Sequence, residues 1–164
     1  SSDNYVIVPL SSVFQQTLDL CQARIVNSKI RLDVPLIPNT ILVRCRPSEL
    51  AQVLLNLINN AYDAIEHLEE RWISIEVVSL SGNLEVSVTD SGRGLSDEIA
   101  KKVMAPFFTT KPPGQGTGLG LSISRNIVTN LGGDLYLDRS SPHTRFTIRL
   151  PQAPCEAPRF DIAI

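Results

Sequence analysis

The chain has 164 residues, of which 43% are hydrophobic and 20% charged, and its formal net charge is −2 at pH 7; these values are typical of one globular domain. The small negative charge gives no electrostatic reason to expect nucleic acid or an anionic membrane as a partner, and no apolar run approaches the ~20 residues that cross a bilayer. Three scattered cysteines, Cys21, Cys45 and Cys155, indicate free thiols in a reducing compartment rather than disulfides or a zinc site.

The first half of the sequence predicts short strands and two helices. The strands are expected over residues 6–8, 30–34 and 41–45. Ser11 or Ser12 is expected to cap a helix that runs to about residue 27. A Pro-Ser-Glu segment at residues 47–49 opens the longest helix, which we expect to continue to about residue 69.

The second half predicts a hairpin, two helices and two closing strands. The strands are expected over residues 72–80, 84–90, 134–138 and 145–150, with a hairpin turn at residues 81–83. A short helix should begin at Ser96 and end near Met104. After a loop rich in proline and glycine, a further helix should begin near Gly118 and end at Gly132 and Gly133.

This order of elements predicts an α/β two-layer sandwich, in which helices cover one face of a mixed β-sheet. Residues 1–151 are expected to form the domain, and residues 152–164, which are rich in proline, a tail or linker. Because the sequence starts and stops abruptly, we also expect it to be a fragment of a longer protein.

Asn56 and Asn60 form the first candidate site because they lie one helical turn apart at the edge of an apolar stripe. Asparagine amides at such a half-buried edge are costly unless they have polar partners. They are either solvated surface residues or ligands whose amide oxygens bind Mg²⁺ while their amide nitrogens contact phosphate oxygens.

Asp90 ends a predicted strand and is followed by Gly92 and Gly94. The segment is either an ordinary turn or a recognition site for adenine. In the second interpretation the carboxylate accepts a hydrogen bond from the adenine amino group and disfavours guanine, which presents a carbonyl there. The glycines let the backbone pass close to the base.

The segment 106–111 contains Phe107, Phe108 and Lys111. The phenylalanines belong either to the core or to the hinge of a mobile lid whose lysine reaches phosphate. The stretch 109–116 lacks an apolar anchor and is rich in proline and glycine, which favours mobility.

A glycine-rich stretch precedes the last helix and consists of Gly116, Thr117, Gly118, Leu119 and Gly120. Its spacing fits neither a Rossmann fingerprint nor a P-loop. It is either a flexible turn or an anion site, because bare backbone N–H groups at a helix N-terminus bind phosphate.

Together, in this order, the four segments resemble the N, G1, F and G2 boxes of bacterial sensor histidine kinases, in particular the nitrogen-sensing and dicarboxylate-sensing branch. The resemblance implies a Bergerat-type ATP-binding (HATPase) fold with ATP and Mg²⁺ as ligands. It assigns catalysis and metal binding to Asn56 and Asn60. It assigns nucleotide binding to Asp90, Gly92, Gly94, Phe107, Phe108, Lys111, Gly116, Thr117, Gly118, Leu119 and Gly120. It adds Thr144 as a support of the adenine pocket.

The resemblance also bears on the reaction. Gyrase-type relatives carry a glutamate as general base at the position of Asn56, and an asparagine cannot take a proton from water. This favours transfer of the γ-phosphoryl group to a histidine on a separate helical dimerisation domain, and from there to a response regulator receiver domain. His67 and His143 lie in no acceptor motif, so we expect the acceptor domain to lie outside this chain.

One departure concerns Asp63, where many relatives carry a basic residue; the phosphate contact is then expected from Lys111 or Arg93. The resemblance implies a homodimeric full-length kinase, a monomeric fragment and a cytoplasmic location, with or without a membrane anchor. The alternatives are a serine kinase or anti-sigma-type switch protein of the same superfamily, and a non-catalytic nucleotide-binding interaction module.

Overall fold

The computed structural model describes residues 4–155. In chain order the elements are β1 (Val6–Pro9), α1 (Leu10–Asn27), β2 (Arg31–Asp33), β3 (Leu42–Cys45), α2 (Pro47–Ile65), β4 (Trp72–Leu80), β5 (Asn83–Asp90), α3 (Asp97–Lys102), α4 (Gly120–Asn130), β6 (Asp134–Leu137) and β7 (Arg145–Pro151). Across these residues no helix is both long and apolar enough to span a bilayer.

Five strands form a mixed sheet in the order β2-β4-β5-β7-β6. Strand β2 pairs with β4 in parallel, and the remaining pairs are antiparallel. Strands β1 and β3 form a separate antiparallel pair. This arrangement confirms the predicted α/β architecture with a mixed sheet.

The core lies between the sheet and helices α2 and α4, because one side of each central strand is apolar. In β5 the buried side chains alternate as Leu84, Val86 and Val88, and the same alternation brings Asp90 to this face. Helix α2 contacts β4 and β5, helix α4 contacts β6 and β7, and α1 packs on α2. The site-bearing ends of β5 and α2 are therefore joined by one packed core.

Two predicted helix boundaries are wrong. Helix α1 begins at Leu10, directly after the extended Pro9, and has no side-chain cap. The predicted cap Ser12 lies inside the first turn, where its hydroxyl donates to the Pro9 carbonyl. Helix α2 ends at Ile65 rather than near residue 69, because residues 66–70 are mostly polar and exposed, and among them Leu68 alone packs partly against the core.

Residues just after the last strand are attached to the domain. The Gln152 amide donates to the Gly82 carbonyl at 2.8 Å, and the Ala153 amide donates to the Leu42 carbonyl at 2.9 Å. Most of the predicted tail, residues 156–164, lies outside the described residues. The domain boundary at residue 151 stays a prediction.

Candidate functional site

A cavity of about 430 Å³ lies between α2, the start of α4, the loop that joins α3 to α4, and the adjoining ends of β5 and β7. It gathers residues from all four segments singled out in the sequence. The predicted site residues that line it are Asn56, Asn60, Asp90, Phe108, Lys111, Gly116, Thr117, Gly118, Gly120 and Thr144. The predicted residues that do not line it are Gly92, Gly94, Phe107 and Leu119.

Asp90 is the buried carboxylate of the cavity, with 3% of its surface exposed. Its backbone amide donates to the Thr144 carbonyl at 3.0 Å, and the Gly92 amide donates to its Oδ1 at 2.8 Å. Burial raises the pKa of Asp90 to about 6, and neither the Gly92 hydrogen bond nor the nearby His143 offsets this. A ligand in the cavity can therefore contact the Asp90 carboxyl group. The hydrogen bond that this group offers the ligand depends on whether the group is protonated.

Gly92 and Gly94 shape the backbone behind Asp90 rather than the cavity wall. A Cβ at Gly92 would lie 2.7 Å from Asp90 Oδ1, so a side chain would displace the carboxylate. Gly94 has a φ of +83°, a conformation that favours glycine. The Gly92 carbonyl lies 2.9 Å from His143 Nδ1, and the His143 ring meets Trp72 edge-on. Gly92 thus lies directly against the Asp90 carboxylate, whereas Gly94 supplies a left-handed turn in the backbone that follows.

An apolar wall beside Asp90 was not found by sequence reasoning. Its members are Leu95, Ile99, Val103, Leu121 and Phe146. The signal that could have found it is the pair Ile99 and Val103, four residues apart at the short helix α3. No residue of α3 is fully buried, so the apolar side of this helix faces the cavity rather than the core. A flat apolar ligand group beside Asp90 would fit this wall.

Asn56 joins the two site helices. Its Nδ2 donates to the buried hydroxyl of Ser124 on α4 at 3.0 Å. A Cβ at Gly120 would lie 2.5 Å from Asn56 Oδ1, so α4 approaches α2 this closely because Gly120 has no side chain. Ser124 was missed by sequence reasoning, although Gly120 and Ser124 form a pair of small residues four apart on one face of α4.

Asn60 lines the cavity and makes no side-chain hydrogen bond to any residue in the described range 4–155. Its amide is therefore open to a ligand. No cluster of three or more His, Cys, Asp or Glu side chains suited to a metal occurs in that range. A Mg²⁺ ion that takes most of its ligands from phosphate and water fits such a site, because it needs only one or two protein oxygens.

The glycine-rich stretch forms the entry to α4. Gly118 has a φ of +68°, and a Cβ there would lie 2.3 Å from the Phe107 carbonyl carbon. Leu119 is the N-cap residue, and its amide donates to the Thr117 hydroxyl at 3.2 Å. The backbone of Gly118 and Gly120 therefore borders the cavity at the positive end of α4.

The loop over this end holds one phenylalanine inside and one outside. Phe107 is 74% exposed and has a φ of +66°, whereas Phe108 lines the cavity. Lys111 forms an ion pair with Asp63 of α2, which is also paired with Arg24 of α1. Burial alone would raise the pKa of Asp63, but hydrogen bonds and charge attraction from Lys111 and Arg24 together hold it below its usual range.

Known proteins resemble this chain in sequence. A family model for histidine kinase-, DNA gyrase B-, and HSP90-like ATPases matches residues 45–154, more than half of the chain. The two-component sensor PprA of Pseudomonas aeruginosa is 36% identical over 152 residues, which cover 89% of this chain and 16% of that protein. The C4-dicarboxylate transport sensor protein DctB of Rhizobium meliloti is 34% identical over 124 residues, covering 76% of this chain and 19% of that protein. The chain thus spans less than a fifth of the length of either relative.

Solved structures extend the likeness to the fold. The nucleotide-free catalytic domain of histidine kinase ThkA superposes with a TM-score of 0.77 at 30% identity, covering 91% of this chain and 96% of that chain. ThkA has also been solved in complex with the response regulator protein TrrA. That structure superposes with a TM-score of 0.74 at 26% identity, covering 93% of this chain and 43% of that chain.

Proposed function

The chain belongs to the family of histidine kinase-, DNA gyrase B-, and HSP90-like ATPases, and from this premise we propose that it is the ATP-binding catalytic domain of a sensor histidine kinase. In this role it holds ATP and presents the γ-phosphoryl group to a histidine on a separate helical dimerisation domain. A response regulator receiver domain then takes the phosphoryl group. The proposed setting is the cytoplasmic part of a homodimeric kinase.

The observation that carries the proposal is that the two ends of one cavity have lining residues of different chemistry. One end offers a buried carboxylate beside an apolar wall, which suits the amino group and flat ring of adenine. The other end offers glycine backbone at a helix N-terminus and the ammonium group of Lys111, which suit a triphosphate. A ligand that is aromatic at one end and polyanionic at the other matches both.

Asn60 and Asn56 are the residues that would hold magnesium, with their amide oxygens as ligands. When bound, the ion neutralises charge on the β- and γ-phosphates. The Asn56 amide nitrogen is engaged by Ser124, so it is the Oδ1 of Asn56 that would take part. Asn60, without a side-chain partner in residues 4–155, carries the larger share of this role.

The carboxylates of the cavity favour transfer to an external acceptor over hydrolysis. Asp63 and Asp90 are the carboxylates among its lining residues. Asp63 is engaged by two cations and has a lowered pKa, which makes it a weak base. Asp90 lies at the opposite, apolar end. Because neither is suited to activate water at the phosphate end, the chain positions ATP and leaves the nucleophile to its partner.

The first test is calorimetric titration of the 164-residue chain with ATP and with ADP, with and without Mg²⁺. We expect binding in the micromolar to millimolar range, the usual range for substrates, and tighter binding of ATP with the metal. Absence of heat, or indifference to magnesium, would contradict the proposal.

The second test is incubation with γ-labelled ATP. The chain alone should neither become labelled nor release phosphate appreciably, and its cognate helical domain should acquire label on histidine when added in cis or in trans. Stable label on the chain alone, or brisk phosphate release, would reject the histidine-kinase assignment. Label on a serine of a partner protein would favour the serine-kinase alternative.

A further inference from the structure

Lys111, the lysine of the loop over the cavity mouth, is held in place by Asp63 of α2. The Lys111 side chain is 34% exposed and the Asp63 side chain 24% exposed, so the ion pair is partly shielded from solvent. Both residues line the cavity. The pair therefore fixes the position of a loop cation relative to the glycine-rich entry of α4.

Asp63 is itself oriented from behind. Its Oδ2 accepts from Lys111, whereas its Oδ1 accepts from Arg24 Nη2 at 2.6 Å. Arg24 is fixed on α2 because its Nη1 donates to Asn59 at 3.0 Å and its guanidinium lies 3.7 Å from the centre of the Tyr62 ring. Arg24 thus orients Asp63 through Oδ1, and Oδ2 remains to bind Lys111.

The charges of this cluster favour an anion at the cavity mouth. Arg24 and Lys111 supply two positive charges, and the Asp63 carboxylate supplies one negative charge. Arg24 remains as a counterion for Asp63 if the lysine turns to a ligand. An ammonium group has three donors, so Lys111 can keep its bond to Asp63 and still donate to phosphate oxygens.

The ion pair also lowers the entropic cost of ligand binding. Lysine loses much rotamer freedom when its ammonium group is immobilised. Lys111 stands in a loop that includes Pro112, Pro113 and Gly114 and has no buried residue between 109 and 116. Without Asp63, little in this loop would hold the lysine near the cavity. With Asp63, part of the freedom is lost before the ligand arrives.

We propose that Asp63 is a positioning residue for the phosphate end of the site, holding Lys111 where its ammonium group meets the terminal phosphates of ATP. The inference rests on the proposed function and deepens it, because Asp63 acts on the same ligand through Lys111. If Asp63 instead competed with phosphate for the lysine, its removal would tighten ATP binding. The two roles thus predict effects of opposite sign.

The test measures dissociation constants of Mg-ATP, ADP and adenosine for the 164-residue chain by protein-observed NMR titration, which detects weak ligands. Asp63→Asn should weaken Mg-ATP binding by about threefold to fivefold, the size expected for one partly exposed ion pair. Adenosine, which lacks phosphates, should bind the variant as it binds the unaltered chain. Asp63→Ser provides a second route to the same loss if the asparagine variant folds poorly.

A double-variant cycle shows whether Asp63 acts through the lysine. Lys111→Met should weaken Mg-ATP binding by about tenfold or more, as expected for loss of a charged hydrogen bond. In that background Asp63→Asn should have no further effect. The matched control is Asp33→Asn, which breaks an exposed ion pair with Arg31 on β2, away from the cavity. It should leave all three constants unchanged.

Each other outcome overturns the inference. Unchanged or tighter Mg-ATP binding by both Asp63 variants excludes a positioning role. An equal loss of adenosine binding shows a general structural role instead, and an undiminished effect of Asp63→Asn in the Lys111→Met background shows that Asp63 does not act through the lysine. If the unaltered chain binds neither adenosine nor Mg-ATP, the proposed function itself fails, and the inference fails with it.

Discussion

The two ends of the cavity are built in different ways. The Asp90 end is fixed by the sheet: the carboxylate is 3% exposed, and backbone hydrogen bonds to Thr144 and from Gly92 define its position. The Lys111 end is formed by a loop, and its cation is held by a side-chain ion pair that solvent reaches. One end is thus buried in the sheet, and the other is attached to α2 through a partly exposed ion pair.

Because of this difference, we expect the two ends to have different functions. A buried carboxylate in a rigid frame discriminates between ligands, because a wrong partner leaves a buried polar group unpaired. A loop held by a partly exposed ion pair can open and close at low cost, because such pairs contribute little net free energy. We therefore expect selectivity to depend on the Asp90 end, and entry and release of nucleotide on the Lys111 end.

The strongest test of the rigid end is Asp90→Asn. Loss of one charged hydrogen bond of roughly 1.5–3 kcal/mol should weaken ATP binding by about 10- to 150-fold. The preference for adenine over guanine nucleotides should fall at the same time. Calorimetric titration with ATP and GTP measures both effects.

The control for this variant is its thermal stability. Burial raises the pKa of Asp90 to about 6, so the carboxylate predominates at pH 7, but its desolvation makes the folded state less stable than it would be with a neutral side chain there. Asp90→Asn should therefore leave the Tm at pH 7 unchanged or higher while binding is lost. A lower Tm together with weak binding would mean that Asp90 supports the fold rather than the ligand.

A smaller effect is expected in the loop that leads into α4, where Gly118 and Gly114 can be compared directly. Gly118 and Gly114 both have positive φ angles, +68° and +83°, so an alanine at either position carries a similar backbone penalty. A Cβ at Gly118 would also meet the Phe107 backbone at 2.3 Å, whereas at Gly114 it meets nothing within 4 Å.

Gly118→Ala should therefore weaken Mg-ATP binding by about tenfold, and Gly114→Ala by no more than about threefold. A left-handed alanine costs about 1–2 kcal/mol. At Gly114 we expect movement of the loop to relieve part of this cost. Titration of both variants under identical conditions measures the difference. Equal losses would mean that the close approach to Phe107 is unimportant for the bound state.

The two ends should also differ in their response to pH. In the folded chain the pKa of Asp90 is about 6, above its ordinary value. The contribution of Asp90 to stability is therefore lost as pH rises from that ordinary pKa to about 6. Adenosine binding should in turn weaken severalfold as pH falls from 7 to 5, because the carboxylate is the better acceptor. Asp63, with its lowered pKa, stays ionised throughout.

Adenosine is the ligand of choice here, since the terminal phosphate of ATP titrates in the same range. NMR titrations of the unaltered chain and of Asp90→Asn between pH 5 and 7 provide the measurement. The variant should lose the pH dependence. If its pH profile matched that of the unaltered chain, the dependence would arise from another group.

The smallest expected effect is a change in loop dynamics. Amides in residues 108–116 should exchange with solvent much faster than those of β5, and Mg-ATP should slow the loop amides severalfold while leaving β5 unaffected. Hydrogen exchange followed by mass spectrometry measures both. Slow exchange of the loop in the absence of nucleotide would remove the contrast between the two ends.

The sequence alone determined most elements and the identity of the site-bearing segments. Periodicity gave strands β4 and β5 within a residue, because their alternation is imposed by a sheet with one buried face. It failed at the start of α1 and the end of α2, where packing rather than a capping residue sets the boundary. The motifs, by their order and content, predicted the family.

Only the tertiary structure decided which side chains meet. Three contacts join residues that are far apart in the chain. They are the hydrogen bond of Asn56 to Ser124, the ion pair of Arg24 with Asp63, and the apolar wall that includes Ile99. Local spacing indicates which residues share a helix face but not which distant residues they meet, because that depends on how α1, α2, α3 and α4 pack together. The sequence thus identified a carboxylate, two amides and a glycine-rich turn, and the packing of helices on the sheet placed them around one cavity with a buried end and a partly exposed end.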